Sequence, residues 1–87
     1  MITRFTKTFF KQLRKLSPEK RVRVDEAITL FRHNPFSAVL RNHKLVGMQK
    51  NLRSISAGYD LRLLYSEKDG HALVLFIDVG THEEVYR

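Results

Sequence analysis

The chain contains no cysteine, which excludes a disulfide framework and any thiolate metal site and suits a reducing compartment. No apolar run approaches the roughly 20 residues that a bilayer-spanning helix needs. The N-terminal stretch MITRFTKTFFKQL has charge scattered through it and lacks the unbroken apolar segment of a secretory leader, so the expected location is the cytoplasm. Repeats, low-complexity tracts and linkers are missing, and 87 residues make a single domain, residues 1–87. There is no glycine-rich phosphate loop and no G-x-S-x-G elbow. No two of the four histidines fall four apart on a helix, and no carboxylate completes a cluster around them. Neither a metal nor any other cofactor is expected.

What the chain does have is positive charge. Sixteen Lys and Arg against nine Asp and Glu give a formal charge of +7 and a pI near 10.2. On so small a surface this favours polyanionic partners: nucleic acid, the ribosome or an acidic protein. The basic residues are spread along the whole chain instead of one helix face, which argues against a membrane surface. Charge alone leaves the partner open, because small proteins are often basic without one. Apolar residues make up 43% of the chain and nine aromatics (six Phe, three Tyr) supply the bulk for a compact core.

Periodicity orders the elements. Residues 2–5 alternate apolar with polar and read as a short strand. From Thr6 to Leu16, Phe9, Leu13 and Leu16 share one helical face, with Phe10 beside them. Ser17-Pro18-Glu19 is a helix start: a capping hydroxyl, a proline in the first turn and an acid at the positive end of the dipole. That helix should run to about His33, burying Val24, Ala27, Ile28 and Phe31, with Asn34-Pro35 ending it. Residues 36–48 show no period and read as a connection to the sheet. Three strands follow: Asn51 to Ala57, Tyr59 to Ser66, and Ala72 to Val79, the last apolar on both faces and therefore central. The order β-α-α-β-β-β predicts an α+β domain, with a two-helix hairpin on one face of a mostly antiparallel sheet.

The second of these strands sorts its side chains by alternation. Tyr59, Leu61, Leu63 and Tyr65 point one way, and Asp60, Arg62, Leu64 and Ser66 the other. With helices on the first face, Asp60 and Arg62 stand on the open one, near enough to pair. A solvated ion pair of little energetic consequence is the plainer reading of those two. His82, in Val79-Gly80-Thr81-His82-Glu83, falls at the rim of the sheet, where an imidazole that titrates near neutral pH suits proton transfer. His33 at a helix C-terminus is explained by the dipole, and His71 beside a turn is expected to be exposed. The inventory of His, carboxylate, Arg, Lys and Tyr fits RNA cleavage. There the substrate's own 2′-hydroxyl attacks, and the protein needs only a base, an acid and a cation.

Three segments, Asn42-His43-Lys44-Leu45-Val46-Gly47, Asp60-Leu61-Arg62-Leu63-Leu64-Tyr65 and Gly80-Thr81-His82-Glu83-Glu84-Val85-Tyr86, together resemble the RelE/ParE toxin superfamily, and most of all its YafQ-like branch. The resemblance spans nearly the whole chain. It implies a type II toxin that enters the ribosomal A site and cleaves mRNA there, and that is held inactive by a cognate antitoxin, acidic at least locally. It also implies that Asp60 and His82 share acid–base work, that His43 assists and that Arg62 stabilises the transition state. Tyr86 would stack on a base or join proton transfer. Lys44, Lys50 and Arg53 are the expected RNA- and phosphate-binding residues. Two positions depart from the pattern: Ser56 stands where YafQ-like toxins carry a histidine, and Leu61 where they tend to place a tryptophan. A ParE-like gyrase-inhibiting toxin, and a degenerate member that only binds RNA or antitoxin, stay open as alternatives.

Overall fold

Both long helices begin where side-chain capping stops the backbone amides from being orphaned. The computed structural model describes residues 1–47 and 51–86. After strand β1 (Ile2–Phe5), Thr6 caps helix α1 (Lys7–Arg14) by accepting from the Phe9 amide at 3.0 Å. The same hydroxyl donates to the Ile77 carbonyl at 2.6 Å, so one side chain both starts the helix and ties it to the sheet. Lys11 and Arg14 complement the dipole in the last turn. α1 stops two residues short of Leu16, because Pro18 forces Ser17 into an extended conformation (ψ 157°). Ser17 then caps helix α2 (Pro18–His33), accepting from the Lys20 amide at 3.3 Å. Val24, Ala27 and Phe31 are buried as expected, and Ile28 is half-buried.

The connection after α2 contains a 3-10 turn, Ala38–Leu40, pinned by the buried Leu40, and a two-residue strand, β2 (His43–Lys44). Strands β3 (Arg53–Ser56), β4 (Leu61–Lys68) and β5 (Leu73–Thr81) follow, and a one-turn helix, α3 (His82–Val85), ends the order. The five strands lie in the order β1-β5-β4-β3-β2, with β1 parallel to β5 and every other pair antiparallel. The expected α+β class and strand sequence are present, and β5 is interior as its apolar run predicted. Phe9, Val24 and Phe31 from the helices meet Ile55, Leu61, Leu63, Tyr65, Phe76 and Val79 from one face of the sheet in a continuous core. The other face is open to α3 and solvent.

Two expectations fail for reasons of backbone geometry. Tyr59 and Asp60 are not part of β4: they lie in the hairpin turn closed by Leu61 N to Gly58 O (2.9 Å), and Tyr59 adopts φ +50°. Tyr59 is therefore exposed, under the Arg23 guanidinium at 5.6 Å, and not on the core face. His71 is buried, not exposed. Asp69, Gly70 and His71 all take positive φ, and this tight turn folds the imidazole back onto β4. Its Nε2 lies 2.7 Å from the Tyr65 hydroxyl, its amide donates to Glu67 Oε2 at 2.9 Å, and Phe31 and Phe36 flank the ring.

Burial pushes the His71 imidazole below its ordinary range, the nearby Glu67 charge opposing this in part, and burial likewise pushes the Tyr65 phenol up. Both shifts favour a phenol that donates to a neutral imidazole. A base whose pKa is lowered on folding binds fewer protons native than unfolded. The stability it contributes is thus present above the unfolded imidazole pKa of about 6.5, and is lost as pH falls from there toward the folded value. Urea unfolding should accordingly show lower stability at pH 5.5 than at pH 7, with a flatter dependence in His71→Gln. Equal pH dependence in the two proteins would contradict the assignment.

Candidate active site

The site is built where the chain returns across the open face. At the end of β5, Thr81 caps α3: its hydroxyl accepts from the Glu84 amide (3.2 Å), and Glu84 Oε1 accepts from the Thr81 amide (2.8 Å), a reciprocal capping box. The His82 amide donates to the Asp60 carbonyl at 3.1 Å, which fastens the turn of α3 to the β3–β4 hairpin. Gly80 allows the close approach. A Cβ there would sit 3.0 Å from Glu84 Oε1, 3.3 Å from Glu84 Cβ and 3.4 Å from Val85 Cγ1. Val85 is buried under the return, and Tyr86 reaches β3, donating its hydroxyl hydrogen to Ser54 Oγ at 2.6 Å.

This arrangement puts four of the expected residues, His43, Lys44, His82 and Tyr86, around one groove. His43, Lys44, Leu45, Val46, His82 and Tyr86 line a cleft of about 360 Å³, within the range of about 300–1,000 Å³ usual for small-ligand sites. The His82 and Tyr86 rings stand edge to face, 4.3 Å between centroids. His43 Nδ1 lies 2.8 Å from the Arg41 carbonyl oxygen. A carbonyl can only accept, so Nδ1 carries a hydrogen. In the neutral ring Nε2 is then the acceptor.

The other expected residues are placed differently. Asp60 meets His82 through its backbone carbonyl, and its exposed side chain does not line the groove. No ion pair joins Asp60 to Arg62 among the described residues. Arg62 stays on the open face, opposite Gly80 in the ladder, with Nη1 donating to the Leu61 carbonyl (2.9 Å) and to Ser56 Oγ (3.4 Å). Arg53 is on the helix side of β3: its Nε donates to Asn42 Oδ1 at 2.9 Å and its guanidinium stacks 5.4 Å from the Phe36 ring. Lys44 borders both the groove and a smaller polar recess of about 190 Å³ with Arg53 and Glu67. Lys50 lies outside the described residues. Among the described residues no three His, Asp or Glu side chains gather as a metal cluster would require.

Ser54 and α3 itself were missed. The helix had a signal, Thr81-x-x-Glu84, the capping-box pattern. Ser54 had none, being one small polar residue in a short strand.

The fold has solved counterparts. YafQ from E. coli superposes with a TM-score of 0.79 at 24% identity, over 99% of this chain and 98% of that one. YafQ within the E. coli DinJ–YafQ toxin–antitoxin complex gives 0.77 at 24%, over 99% and 97%. The toxin–antitoxin complex RelBE2 from Mycobacterium tuberculosis gives 0.63 at 29%, over 92% and 95%. No family model and no curated protein matches the sequence.

Replacing Gly80 by valine should force α3 off the open face, at a loss of about 1–3 kcal/mol in unfolding free energy. Amide exchange of residues 82–86 should accelerate at the same time. Unchanged protection there would show that the return does not depend on this glycine. Five strands with a helical hairpin on one face and a short helix returning over the other give this chain the fold shared by the solved YafQ, YoeB/ParE and RelE toxins.

Proposed function

We propose that the chain is the toxin of a toxin–antitoxin pair, and an endoribonuclease that cleaves mRNA on the ribosome in the cytoplasm without a cofactor. One observation carries the reading: the return of the chain end brings His82 and Tyr86 into the same groove as His43. Two imidazoles across one cleft are a base and an acid for a substrate that supplies its own nucleophile. His43 Nε2, left as acceptor by the bond to Arg41, takes the 2′-hydroxyl proton. The 2′-oxygen attacks phosphorus and the 5′-oxygen leaves with a proton from His82. The products are a 2′,3′-cyclic phosphate and a 5′-hydroxyl. Charge that builds on the phosphorane falls to Arg62 on the open face, whose Nη2 and Nε are not used by the two bonds above, while Lys44, paired with Arg53 in the β2–β3 ladder, offers a phosphate contact at the edge of the groove.

In this geometry Asp60 acts through its carbonyl, which holds α3, and the acid–base pair is His43 with His82. The net charge of +7 supports binding to rRNA and mRNA and to an acidic antitoxin that neutralises the toxin. The likeness to the DinJ–YafQ and RelBE2 complexes supports the antitoxin partner.

His82→Ala should slow cleavage of ribosome-bound mRNA by a factor of about 10²–10⁴ and relieve growth arrest, while the urea midpoint stays unchanged because the side chain is exposed. Full activity in that variant would remove His82 from the mechanism. If the wild-type chain instead inhibits gyrase supercoiling and leaves translation intact, the gyrase-inhibitor reading replaces this one. Binding to ribosomes with no cleavage would leave only the non-catalytic reading.

A further inference from the structure

Ser54 has no role in the reaction above, yet it sits in the middle of the site. Its side chain is fully buried on the open-face side of β3, directly opposite His43 in the β2–β3 ladder. Side chains so placed have Cβ atoms about 4.5–5.5 Å apart. On its other flank Ser54 receives the Tyr86 hydroxyl at 2.6 Å, and the Tyr86 ring is the neighbour of His82. His43, Ser54, Tyr86 and His82 therefore form a row across the sheet.

The energetics of the chain end give that hydrogen bond weight. A helix of one turn has no stability of its own, so α3 keeps its place through its cap, the buried Val85 and the contact of Tyr86 with β3. Val85 sets where the backbone lies. It does not set the direction of the Tyr86 ring, which follows residue 85 and is held by the bond to a rigid strand. A fully buried hydroxyl is also a poor place for an unpaired polar atom, and Tyr86 satisfies Ser54.

We propose that Ser54 is a positioning residue of the cleavage site: it acts through Tyr86, fixing the ring that orients the His82 imidazole over the groove. The phenol hydrogen of Tyr86 is then committed to the protein. Tyr86 offers the substrate a ring face and a wall, not a proton. The effect on cleavage rests on the endoribonuclease reading, whereas the effect on His82 does not.

The test is a double-mutant cycle with Ser54→Ala, Tyr86→Phe and the two combined, read in two ways. NMR follows the ring-proton resonances of His82, which the neighbouring aromatic ring displaces, and single-turnover assays follow cleavage of ribosome-bound mRNA. Each single variant should move the His82 resonances toward those of a free histidine and slow cleavage about tenfold, the consequence of one lost buried hydrogen bond. The combined variant should be no worse than either, because both changes break the same bond. His82 resonances unchanged in Ser54→Ala, or losses that multiply in the combined variant, would overturn the proposal. A wild-type chain that cleaves no RNA would sink the endoribonuclease reading alone, and the resonance cycle would still decide the role of Ser54.

Discussion

How the chain leaves β5 determines whether there is a site at all. Up to Val79 the strand sends Val74, Phe76 and Val79 into the core and brings no residue into the groove. At Gly80 the backbone loses its Cβ, Thr81 caps the next turn, and the chain folds back across the face that the helices do not cover. Everything in the groove depends on that reversal. Without it His82 and Tyr86 would extend into solvent, Ser54 would be a hydroxyl stripped of its partner, and His43 would face an empty sheet. The capping box and the bond from His82 to the Asp60 carbonyl are two separate constraints on one turn, and the missing Cβ at Gly80 leaves room for Glu84 and Val85. That redundancy holds a short terminal helix in register.

The reversal is useful because β5 is itself well held. Thr6 joins the start of α1 to Ile77, at the place where β5 carries one residue more than β4: Leu64 pairs with Asp78 and Tyr65 with Phe76, leaving Ile77 over. Such a bulge shifts the alternation of the strand, so that Phe76 and Val79 both face the core although three positions apart. Helices on one face and the candidate site on the other divide the molecule. The buried side, with Tyr65 and His71, supplies rigidity, while the open side carries His43, Arg62 and the returning helix.

Much of this was legible in the sequence. Ser17-Pro18-Glu19 marked the start of α2, Asn34-Pro35 its end, and the apolar run from Ala72 an interior strand, since each signal is local. The failures arose where a long-range or backbone term decided. β2 is two residues long and has no period to detect. Tyr59 and Asp60 continue the alternation of β4 on paper, but the hairpin needs them for its turn. His71 follows a turn that reads as surface, and only the three positive φ angles in succession carry it back to Tyr65. In the site, His82 was named from its place at the sheet rim as well as from resemblance, His43 and Tyr86 from resemblance alone, and the three come together in space. Arg53 falls on the far face because alternation in β3 places Ile55 in the core, and Arg53 with it.

The central claim is that this groove cleaves RNA by using the substrate's own 2′-hydroxyl. It is tested most directly by incubating the purified chain with ribosomes carrying a defined mRNA and identifying the ends it produces. The mRNA is then remade with a single 2′-deoxynucleotide on the 5′ side of the cut. The account predicts a 2′,3′-cyclic phosphate and a 5′-hydroxyl from the first mRNA, and no cut at that position in the second. Cleavage that persists at the deoxynucleotide would contradict it.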